Sequence, residues 1–370
     1  MKKELSNPFV IEGYAGKKYF CDREQETINL TRFLENGSNV TLYSPRKMGK
    51  TGLIWHVFKQ SLKVHCYYLD IMDTWCLKDF IDKFASVIIG SLDSKIEVFM
   101  QNAFKVFGHL RPTFSYDALT GSPKINLDIS ENQENQTLES IFEYIRKKGE
   151  TCYIAIDEFQ KIRDYPEKGV EALLRSQIQF THNARFIFSG SSRHLMADMF
   201  VNPQKPFYES TSPMHLDRID RAKYYKFASG FFKKSGRTLS EELFNYVYDE
   251  VSGHTWYVQK WMNTLYSHSE EDITKEEVLA ALREILLGQQ DFFYAVLQGL
   301  TSNERRVLTA IAKEGKLSQP RSTEFMNKYD LPAPSSIVAS IKRLVDKEII
   351  YEYNGEYSVY NRFLGIWLRG

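Results

Sequence analysis

The chain has 370 residues, too many for one ordinary hydrophobic core, so we expect two or three domains. Its composition, with 43% hydrophobic and 26% charged residues, is typical of a folded globular protein and excludes a disordered or fibrous one. Lys and Arg number 48 against 47 Asp and Glu. The resulting formal net charge of +1 excludes a general electrostatic attraction to nucleic acids or membrane surfaces.

The spacing of the cysteines and the lengths of the apolar segments exclude further classes of protein. The four cysteines lie far apart without a C-x-x-C pair, so they indicate neither a disulfide framework nor a zinc site. No window approaches the ~18 apolar residues of a membrane span, and the basic N-terminus lacks the apolar segment of a signal peptide. We therefore expect a cytoplasmic protein with no membrane partner.

The first predicted helix covers residues 27–34, before the first strand. Its apolar residues recur at helical spacing, at Ile28, Leu30, Phe33 and Leu34. This periodicity predicts one buried stripe that contains all four side chains.

The most informative stretch is residues 44–51, which read S-P-R-K-M-G-K-T. It lies between the apolar run 40–43 and a segment with helical spacing, so the local order is strand, loop, helix. The stretch fits the phosphate-binding pattern G-x-x-x-x-G-K-[ST] except at Ser44, which stands at the first glycine. Because Pro45 favours an extended conformation for the residue before it, Ser44 needs no positive φ, and the replacement is tolerable.

Each residue that the pattern retains has a physical role. Gly49 lets backbone N–H groups approach phosphate oxygens without a Cβ in the way, and the following helix offers its positive N-terminal end to the anion. Lys50 would reach the β- and γ-phosphates, and the Thr51 hydroxyl would ligate Mg²⁺. The simpler alternative is a β-to-α turn that happens to contain Lys and Thr. The predicted nucleotide contacts in this segment are Pro45, Arg46, Lys47, Met48, Gly49, Lys50, Thr51 and Gly52.

Less specific elements follow the phosphate-binding segment. A second strand is predicted at residues 64–70, with helices over roughly 76–107. Residues 111–128 form two alternating runs around a turn at 120–123, which predicts an inserted β-hairpin. A further helix is expected at residues 137–148.

The second informative stretch ends in two carboxylates. Residues 153–156 are continuously apolar, as in a parallel strand buried on both faces, and Asp157 and Glu158 follow directly. We expect Asp157 to hold the Mg²⁺ shell and Glu158 to orient and polarise the attacking water as a general base. An acidic pair in an ordinary loop is the alternative, and the G-K-T segment elsewhere in the chain weakens it.

Two more strands complete the predicted sheet. Residues 184–192 are apolar and end in small polar residues, of which Ser191 is the favoured sensor of the γ-phosphate or the water; an ordinary Gly-Ser turn is the alternative. Residues 212–217 contain Pro213, which predicts an edge strand. The predicted fold is therefore α/β, with a five-stranded, mainly parallel sheet in a P-loop NTPase domain at residues 1–218.

The rest of the chain is predicted to be mostly helical. Residues 219–295 read as an all-α lid domain, and residues 296–370 predict three helices and a two-stranded wing, the order of a winged helix-turn-helix domain. The third of these helices offers Lys342, Arg343 and Lys347. These basic residues are interleaved with Asp346 and Glu348, which favours an intramolecular packing module over a reader of a DNA groove.

In this order of elements the chain resembles the archaeal-type P-loop ATPases, within the signal-transduction branch of the AAA+-like proteins. The resemblance covers nearly the whole chain, including the phosphate loop, the acidic pair and the small polar residues 189–192. Four residues match the family's N-terminal segment, which lies near the adenine: Tyr19, Phe20, Arg23 and Glu24. Asp22 stands at the family's glycine position, after one inserted residue. The resemblance implies ATP and Mg²⁺ as ligands, with nucleotide contacts from Tyr19, Phe20 and Arg23.

Two departures concern the arginine that family members use as a sensor or as a trans-acting finger. Residues 207–210 occupy a position where the family often carries an arginine, and none is present. Residues 253–256 lack the proline of the family's Gly-x-Pro segment. Arg193, Arg218 and Arg221 are substitutes that the sequence does not rank.

Three functional hypotheses follow. The leading one is an ATP-binding protein that hydrolyses ATP slowly to ADP and phosphate with Mg²⁺ and acts as a nucleotide-dependent conformational switch. A protein partner or self-association is open under this hypothesis. The alternative is a DNA-binding regulator whose winged helix is gated by the ATPase domain, with DNA as the less favoured partner. A degenerate nucleotide-binding scaffold is the third hypothesis, and the intact residues Lys50, Thr51, Asp157 and Glu158 argue against it.

Overall fold

The computed structural model describes residues 4–90, 96–107, 110, 112–116, 123–130, 133–269, 271–353 and 355–370. The chain forms two compact units: Gly13–Asp217, and the segment up to Glu12 together with Arg218–Gly370. No helix in these described ranges is long and apolar enough to cross a membrane. The division of the chain into three domains, with boundaries at 218 and 295, stays a prediction.

The first unit is built on a sheet of five parallel strands. In order across the sheet they are β2 (His65–Asp70), β5 (Cys152–Asp157), β6 (Ala184–Gly190), β1 (Val40–Tyr43) and β7 (Ser212–His215). Every neighbouring pair is parallel. The predicted five-stranded, mainly parallel sheet is therefore confirmed. The edge position predicted for the strand with Pro213 is confirmed too, since β7 lies at one edge beside β1.

Helices cover both faces of this sheet. They are α1 (Glu24–Glu35), α2 (Lys50–Gln60), α3 (Leu77–Gly90), α4 (Ile96–Phe107), α5 (Glu134–Lys148), α6 (Val170–Gln179) and α7 (Arg193–Val201), with short 3₁₀ helices at Lys17–Tyr19 and Phe159–Asp164. A separate antiparallel pair, β3 (Thr113–Tyr116) and β4 (Pro123–Asn126), occupies the region of the predicted hairpin. Most of the predicted turn at 120–123 lies outside the described residues.

Strand β5 is buried on both of its faces. Ile154 and Ile156 pack in the core that includes α3, α5 and α6, whereas Tyr153 and Ala155 pack in the core with α1 and α2. Successive side chains of a strand point to opposite faces, so a continuous apolar run supplies both cores. Asp157 is the last residue of this strand and therefore lies at the carboxyl edge of the sheet.

The second unit contains the helical segment and the winged-helix segment. Its helical segment comprises α8 (Arg221–Lys234), α9 (Glu241–Glu250), α10 (Thr255–His268), α11 (Lys275–Gly288) and α12 (Gln290–Gln298). The winged-helix segment comprises α13 (Ser302–Glu314), α14 (Thr323–Lys328), α15 (Pro334–Asp346), β8 (Ile350–Tyr353), β9 (Glu356–Val359) and α16 (Arg362–Arg369). The predicted order of three helices and a wing is confirmed. Helix α16 was not predicted from the sequence.

Within this unit the winged-helix segment packs against the helices before it. Phe363 of α16 meets Tyr257 of α10 edge to face, with 5.0 Å between ring centroids, and Arg369 pairs with Glu250 at 2.8 Å. The N-terminal segment belongs to the same core, because Phe9 is fully buried against the aromatic rings of α8. The expectation that the winged helix packs on the chain itself is therefore confirmed.

One prediction for α1 is wrong. Leu30 and Leu34 are buried and Phe33 is partly buried, but Ile28 is 58% exposed. The angular spacing explains the difference: at about 100° per residue, Ile28 lies roughly 200° around the helix from Leu30. The stripe that faces α2 is therefore narrower than the sequence analysis expected.

This difference provides a matched pair of substitutions in one helix. Leu30→Ala should lower the free energy of unfolding by about 2–5 kcal/mol, because it opens a cavity in a closed core. Ile28→Ala should change it by less than about 0.5 kcal/mol, because its side chain is mostly in solvent already. Denaturant unfolding of both variants measures the difference, and equal losses would contradict the orientation of α1.

Candidate nucleotide-binding site

The loop between β1 and α2 contains two residues with left-handed backbone. Gly49 (φ 99°) and Lys47 (φ 67°) are in the left-handed region, whereas Ser44 has no positive φ. A serine at the first position of the loop therefore costs no backbone strain. Met48 and Ser44 are buried, and the Ser44 N–H donates to the carbonyl of Gly190 at the end of β6, at 3.4 Å. The loop is thus tied to the neighbouring strand.

Lys50 is folded back onto this loop. Its side chain is only 6% exposed, and Nζ donates to the carbonyl oxygens of Ser44 at 2.9 Å and Pro45 at 3.3 Å. Burial lowers the pKa of Lys50, while the charges of Glu158 and Asp157 act in the opposite direction. Two neutral carbonyls compensate a buried ammonium poorly, so an anion entering the loop would be a stronger partner for Lys50.

Asp157 joins β5 to the first turn of α2. Its Oδ2 atom accepts a hydrogen bond from the Thr51 hydroxyl at 2.8 Å, and its Oδ1 atom accepts from the backbone N–H of Glu158 at 3.1 Å. The carboxylate is almost wholly buried. Because Thr51 donates its proton to Asp157, the lone pairs of its oxygen stay available to a cation. Hydroxyl and carboxylate oxygens are ligands that suit Mg²⁺, so this pair fits such an ion.

Tyr68 is a member of this site that the sequence analysis missed. Its hydroxyl donates to the same Oδ2 atom of Asp157 at 2.6 Å. Burial, and then the charge of Asp157, raise the pKa of Tyr68, so the phenol remains a donor. Asp70, two residues later, pairs in register with Asp157 across β2 and β5. Partial burial and then the Asp157 charge raise the pKa of Asp70, while the Met72 N–H opposes the shift.

Glu158 lies in a second polar cluster, beside the end of β6. Its backbone is left-handed (φ 56°, ψ 38°), and its Oε2 atom accepts from the Ser191 hydroxyl at 2.6 Å and from Gln160 Nε2 at 2.6 Å. Ser191 in turn accepts from Gln160 Nε2 at 3.2 Å and from Arg46 Nε at 3.4 Å. The structure therefore brings together the predicted base and the predicted sensor. Gln160 was not predicted.

Phe20 lies against the P-loop helix, in an aromatic group with Tyr14 and His56. Its ring stacks on His56 of α2 with 4.2 Å between centroids, and the Tyr14 hydroxyl hydrogen-bonds His56 Nδ1 at 2.7 Å. Burial, and then the charge of Lys17, lower the pKa of His56. The Phe20 ring also lies beside Gly52, where a Cβ would be 3.4 Å from it, an ordinary van der Waals distance.

Arg23 reaches the phosphate loop from the start of α1. It is 3% exposed and donates to the Met48 carbonyl at 3.2 Å and to Glu26 at 2.7 Å. Tyr19 ends the 3₁₀ helix before it, with the Lys18 ammonium 5.5 Å from its ring centroid. Of the predicted N-terminal residues, Arg23 contacts the loop directly and Phe20 packs on the helix that follows it.

The three candidate arginines divide between the two units. Arg193 begins α7, in the unit that carries the P-loop, whereas Arg218 and Arg221 belong to the second unit, where Arg221 pairs with Asp249 at 3.1 Å.

Another unpredicted residue, His215 of β7, packs on Tyr43 with ring centroids 5.2 Å apart. Burial lowers the pKa of His215, and its Nε2 atom is buried without a hydrogen-bond partner in the described ranges.

Comparison with known families agrees with this geometry. Residues 20–261 match the family described as an ATPase domain predominantly from Archaea. The chain belongs to this family. It is therefore an ATP-binding protein of the ATPase type. Residues 291–370 match a family described as a probable winged helix domain, which agrees with the segment from α13 to α16.

Two relatives of this archaeal-type ATPase come from Methanocaldococcus jannaschii. One, an uncharacterized ATP-binding protein, is 27% identical over 256 residues, which span 64% of this chain and 66% of the relative. The other, also an uncharacterized ATP-binding protein, is 23% identical over 271 residues, which span 69% and 72%. The chain thus aligns with about two thirds of the length of these relatives.

Solved structures share the fold of this family member. A Walker-type ATPase of Pyrococcus abyssi superposes with a TM-score of 0.67 at 17% identity, covering 98% of this chain and all of the other. The ORC2 protein of Aeropyrum pernix, solved as ADPNP–ADP complexes, gives 0.59 at 13% identity over 98% and 95% of the two chains. The ORC1 protein of the same organism, solved in complex with DNA, gives 0.55 at 15% identity over 98% and 96%.

The contact between Tyr68 and Asp157 can be tested by removing one oxygen atom. Tyr68→Phe should lower the free energy of unfolding by about 1–2 kcal/mol, because a hydrogen bond to a mostly buried carboxylate is lost. Tyr67→Phe is the matched control, since Tyr67 packs in the core on the opposite face of β2. Denaturant unfolding measures both variants. A Tyr68→Phe loss no larger than that of the control would contradict the role of this hydroxyl.

Proposed function

We propose that this chain is a Mg²⁺-dependent ATPase that hydrolyses ATP slowly and acts as a nucleotide-dependent conformational switch. The observation that carries the proposal is the meeting of three groups at the carboxyl edge of one parallel sheet. Lys50 follows β1, the Thr51–Asp157 pair joins α2 to β5, and Glu158 meets Ser191 at the end of β6. Ligands of open α/β sheets bind at this edge.

The first part of the mechanism is phosphate binding. The phosphates would enter the loop at Gly49 and the N-terminal end of α2, where backbone N–H groups and the helix dipole favour an anion. Lys50 would exchange its two carbonyl partners for the β- and γ-phosphates. Arg23 contacts the loop and Phe20 packs on the helix that follows it, which supports a role for them in holding the rest of the nucleotide.

The second part concerns the metal and the water. Thr51 and Asp157 would hold Mg²⁺, which, when bound, neutralises charge on the β- and γ-phosphate oxygens. Glu158 would accept the proton of the attacking water, and Ser191 would orient that water or the γ-phosphate. Their mutual hydrogen bond of 2.6 Å supports assigning them to one step.

Slow turnover is supported by how fully these acids are already hydrogen-bonded. Asp157 accepts from Thr51, Tyr68 and the Glu158 N–H, and Glu158 accepts from two side chains. An ion that binds Asp157 must displace or rearrange some of the donors to this carboxylate, and such reorganisation raises the barrier. The same rearrangement would act as the conformational switch. ATP has a γ-phosphate that contacts these groups and ADP lacks it, so the two nucleotides would favour different arrangements of the site.

The DNA-regulator alternative has less support. Arg343 of α15 and Lys347, the residue after this helix, form ion pairs with Glu304 at 2.8 and 3.3 Å. Glu304 belongs to α13 and is 1% exposed. Charges that are neutralised within the chain contribute little to binding phosphates of DNA. We therefore favour a protein partner or a second copy of the chain, over DNA, as the molecule that would respond to the ATP- or ADP-bound state.

The phosphate contact is tested by Lys50→Ala. The variant should bind ATP at least about a hundredfold more weakly, because it removes one charged phosphate contact worth roughly 3 kcal/mol. Lys59→Ala, at the exposed C-terminal end of the same helix, is the control and should bind normally. Calorimetric titration with ATP decides between them. Unchanged affinity in Lys50→Ala would mean that the phosphates bind elsewhere.

The proton-accepting role is tested by Glu158→Gln. Glutamine keeps the size and can still bind water, but it cannot accept the proton, and general-base catalysis contributes on the order of 10²–10⁴-fold. We expect retained ATP binding with phosphate release reduced by that factor. Glu150→Gln, at an exposed glutamate that pairs with His65, is the control. Hydrolysis at the wild-type rate in Glu158→Gln would remove this residue from the mechanism.

A further inference from the structure

Gln160 is a buried polar residue that no sequence pattern singled out. It lies in the 3₁₀ helix Phe159–Asp164, directly after the acidic pair, and is 8% exposed. We propose that Gln160 is a positioning residue for ATP hydrolysis, which acts by holding the Glu158 carboxylate against Ser191. This inference rests on the proposed function, because it requires Glu158 to act on the attacking water.

The contacts among these three side chains form a closed triangle. Gln160 Nε2 donates to Glu158 Oε2 at 2.6 Å and to Ser191 Oγ at 3.2 Å. The Ser191 hydroxyl donates to the same Glu158 Oε2 atom at 2.6 Å. In the described part of the chain no side chain donates to Glu158 Oε1, which leaves that atom to accept the proton of a water molecule.

The other end of the Gln160 amide has no partner. Its Oε1 atom is buried and accepts no hydrogen bond from the described residues. Exchanging the amide nitrogen and oxygen would place Oε1 against the Glu158 carboxylate, and two acceptors at 2.6 Å would repel each other. The triangle therefore determines the orientation of the amide, and the buried orphan oxygen is its consequence.

An orphan acceptor of this kind costs free energy, so the fold gains little from a glutamine here. The space around it is also closed: a Cβ at Gly190 would lie 2.6 Å from Gln160 Oε1 and 2.4 Å from Met196 Sδ. An apolar side chain of similar length would fill the same space without an unsatisfied oxygen. The presence of a glutamine at this position, instead of an apolar residue, is therefore explained by the hydrogen bonds that its amide nitrogen donates.

Those hydrogen bonds restrict the one side chain that the reaction needs in a defined direction. The Glu158 backbone is already held in a left-handed conformation that non-glycine residues seldom adopt. Ser191 alone would leave the carboxylate free to swing about a single hydrogen bond. With Gln160 as second donor, Oε2 is fixed and Oε1 keeps one position relative to the end of β6, which is the requirement for an oriented base.

The test begins with Gln160→Met in the full-length chain, since methionine has nearly the same length and no donor. We expect kcat to fall about tenfold, the loss that corresponds to roughly 1.4 kcal/mol in the barrier. The Kd for ATP should stay within about twofold, and the melting temperature should be equal to or higher than that of the wild type. Gln179→Met, at an exposed glutamine at the end of α6, is the matched control and should change neither quantity.

A double variant separates action through Glu158 from an independent effect. If Gln160 works only by holding this carboxylate, adding Gln160→Met to Glu158→Gln should cause no further loss in single-turnover hydrolysis of radiolabelled ATP. A further tenfold loss in the double variant would overturn the inference. Unchanged kcat in Gln160→Met, or a lower melting temperature together with weaker ATP binding, would overturn it as well.

These outcomes are distinct from failure of the proposed function. If the wild-type chain released no phosphate, or if Glu158→Gln hydrolysed ATP at the wild-type rate, the ATPase mechanism itself would be refuted and the role of Gln160 with it. If wild type and Glu158→Gln behave as proposed while Gln160→Met matches the wild type, only the positioning role is refuted.

Discussion

The hydrogen bond between the Thr51 hydroxyl and Asp157 is the contact on which the candidate nucleotide site depends. It joins the first turn of the P-loop helix to the end of the most buried strand, at 2.8 Å. Because β5 is packed on both faces, its last residue, Asp157, has little conformational freedom. The hydrogen bond to Asp157 restricts the Thr51 side chain in turn. The loop that precedes α2 is thereby held at the carboxyl edge of the sheet, beside the residues that follow β6.

The charged groups of the site have neutral hydrogen-bond partners. Lys50, Asp157 and Glu158 are brought close together, yet the lysine contacts carbonyl oxygens and each acid contacts neutral donors. Charged groups that are compensated only by neutral dipoles gain most from a ligand of opposite charge. Under the proposed function, a phosphate for the lysine and a cation for Asp157 would supply such charges, and nucleotide binding would then be coupled to rearrangement of the site.

The winged-helix segment uses its polar residues differently. Its basic side chains Arg343 and Lys347 neutralise Glu304 inside the domain, and Phe363 of its last helix packs against aromatic rings of α10. These two basic side chains are thus engaged in intramolecular ion pairs. The winged-helix segment thus contributes side chains to the core of its own unit.

The sequence by itself determined what depends on neighbours along the chain. The phosphate loop, the apolar run that ends at Asp157, and the winged order of elements are local patterns, and each requires only strand, turn or helix spacing. Tertiary structure decided the contacts across strands. Tyr68 reaches Asp157 because β2 pairs with β5, and Gln160 reaches Ser191 because β6 lies next to β5, a strand order that no local pattern encodes. Ile28 differs from these cases, because helix geometry alone places it roughly 200° from Leu30; packing decided only which side of the helix is buried.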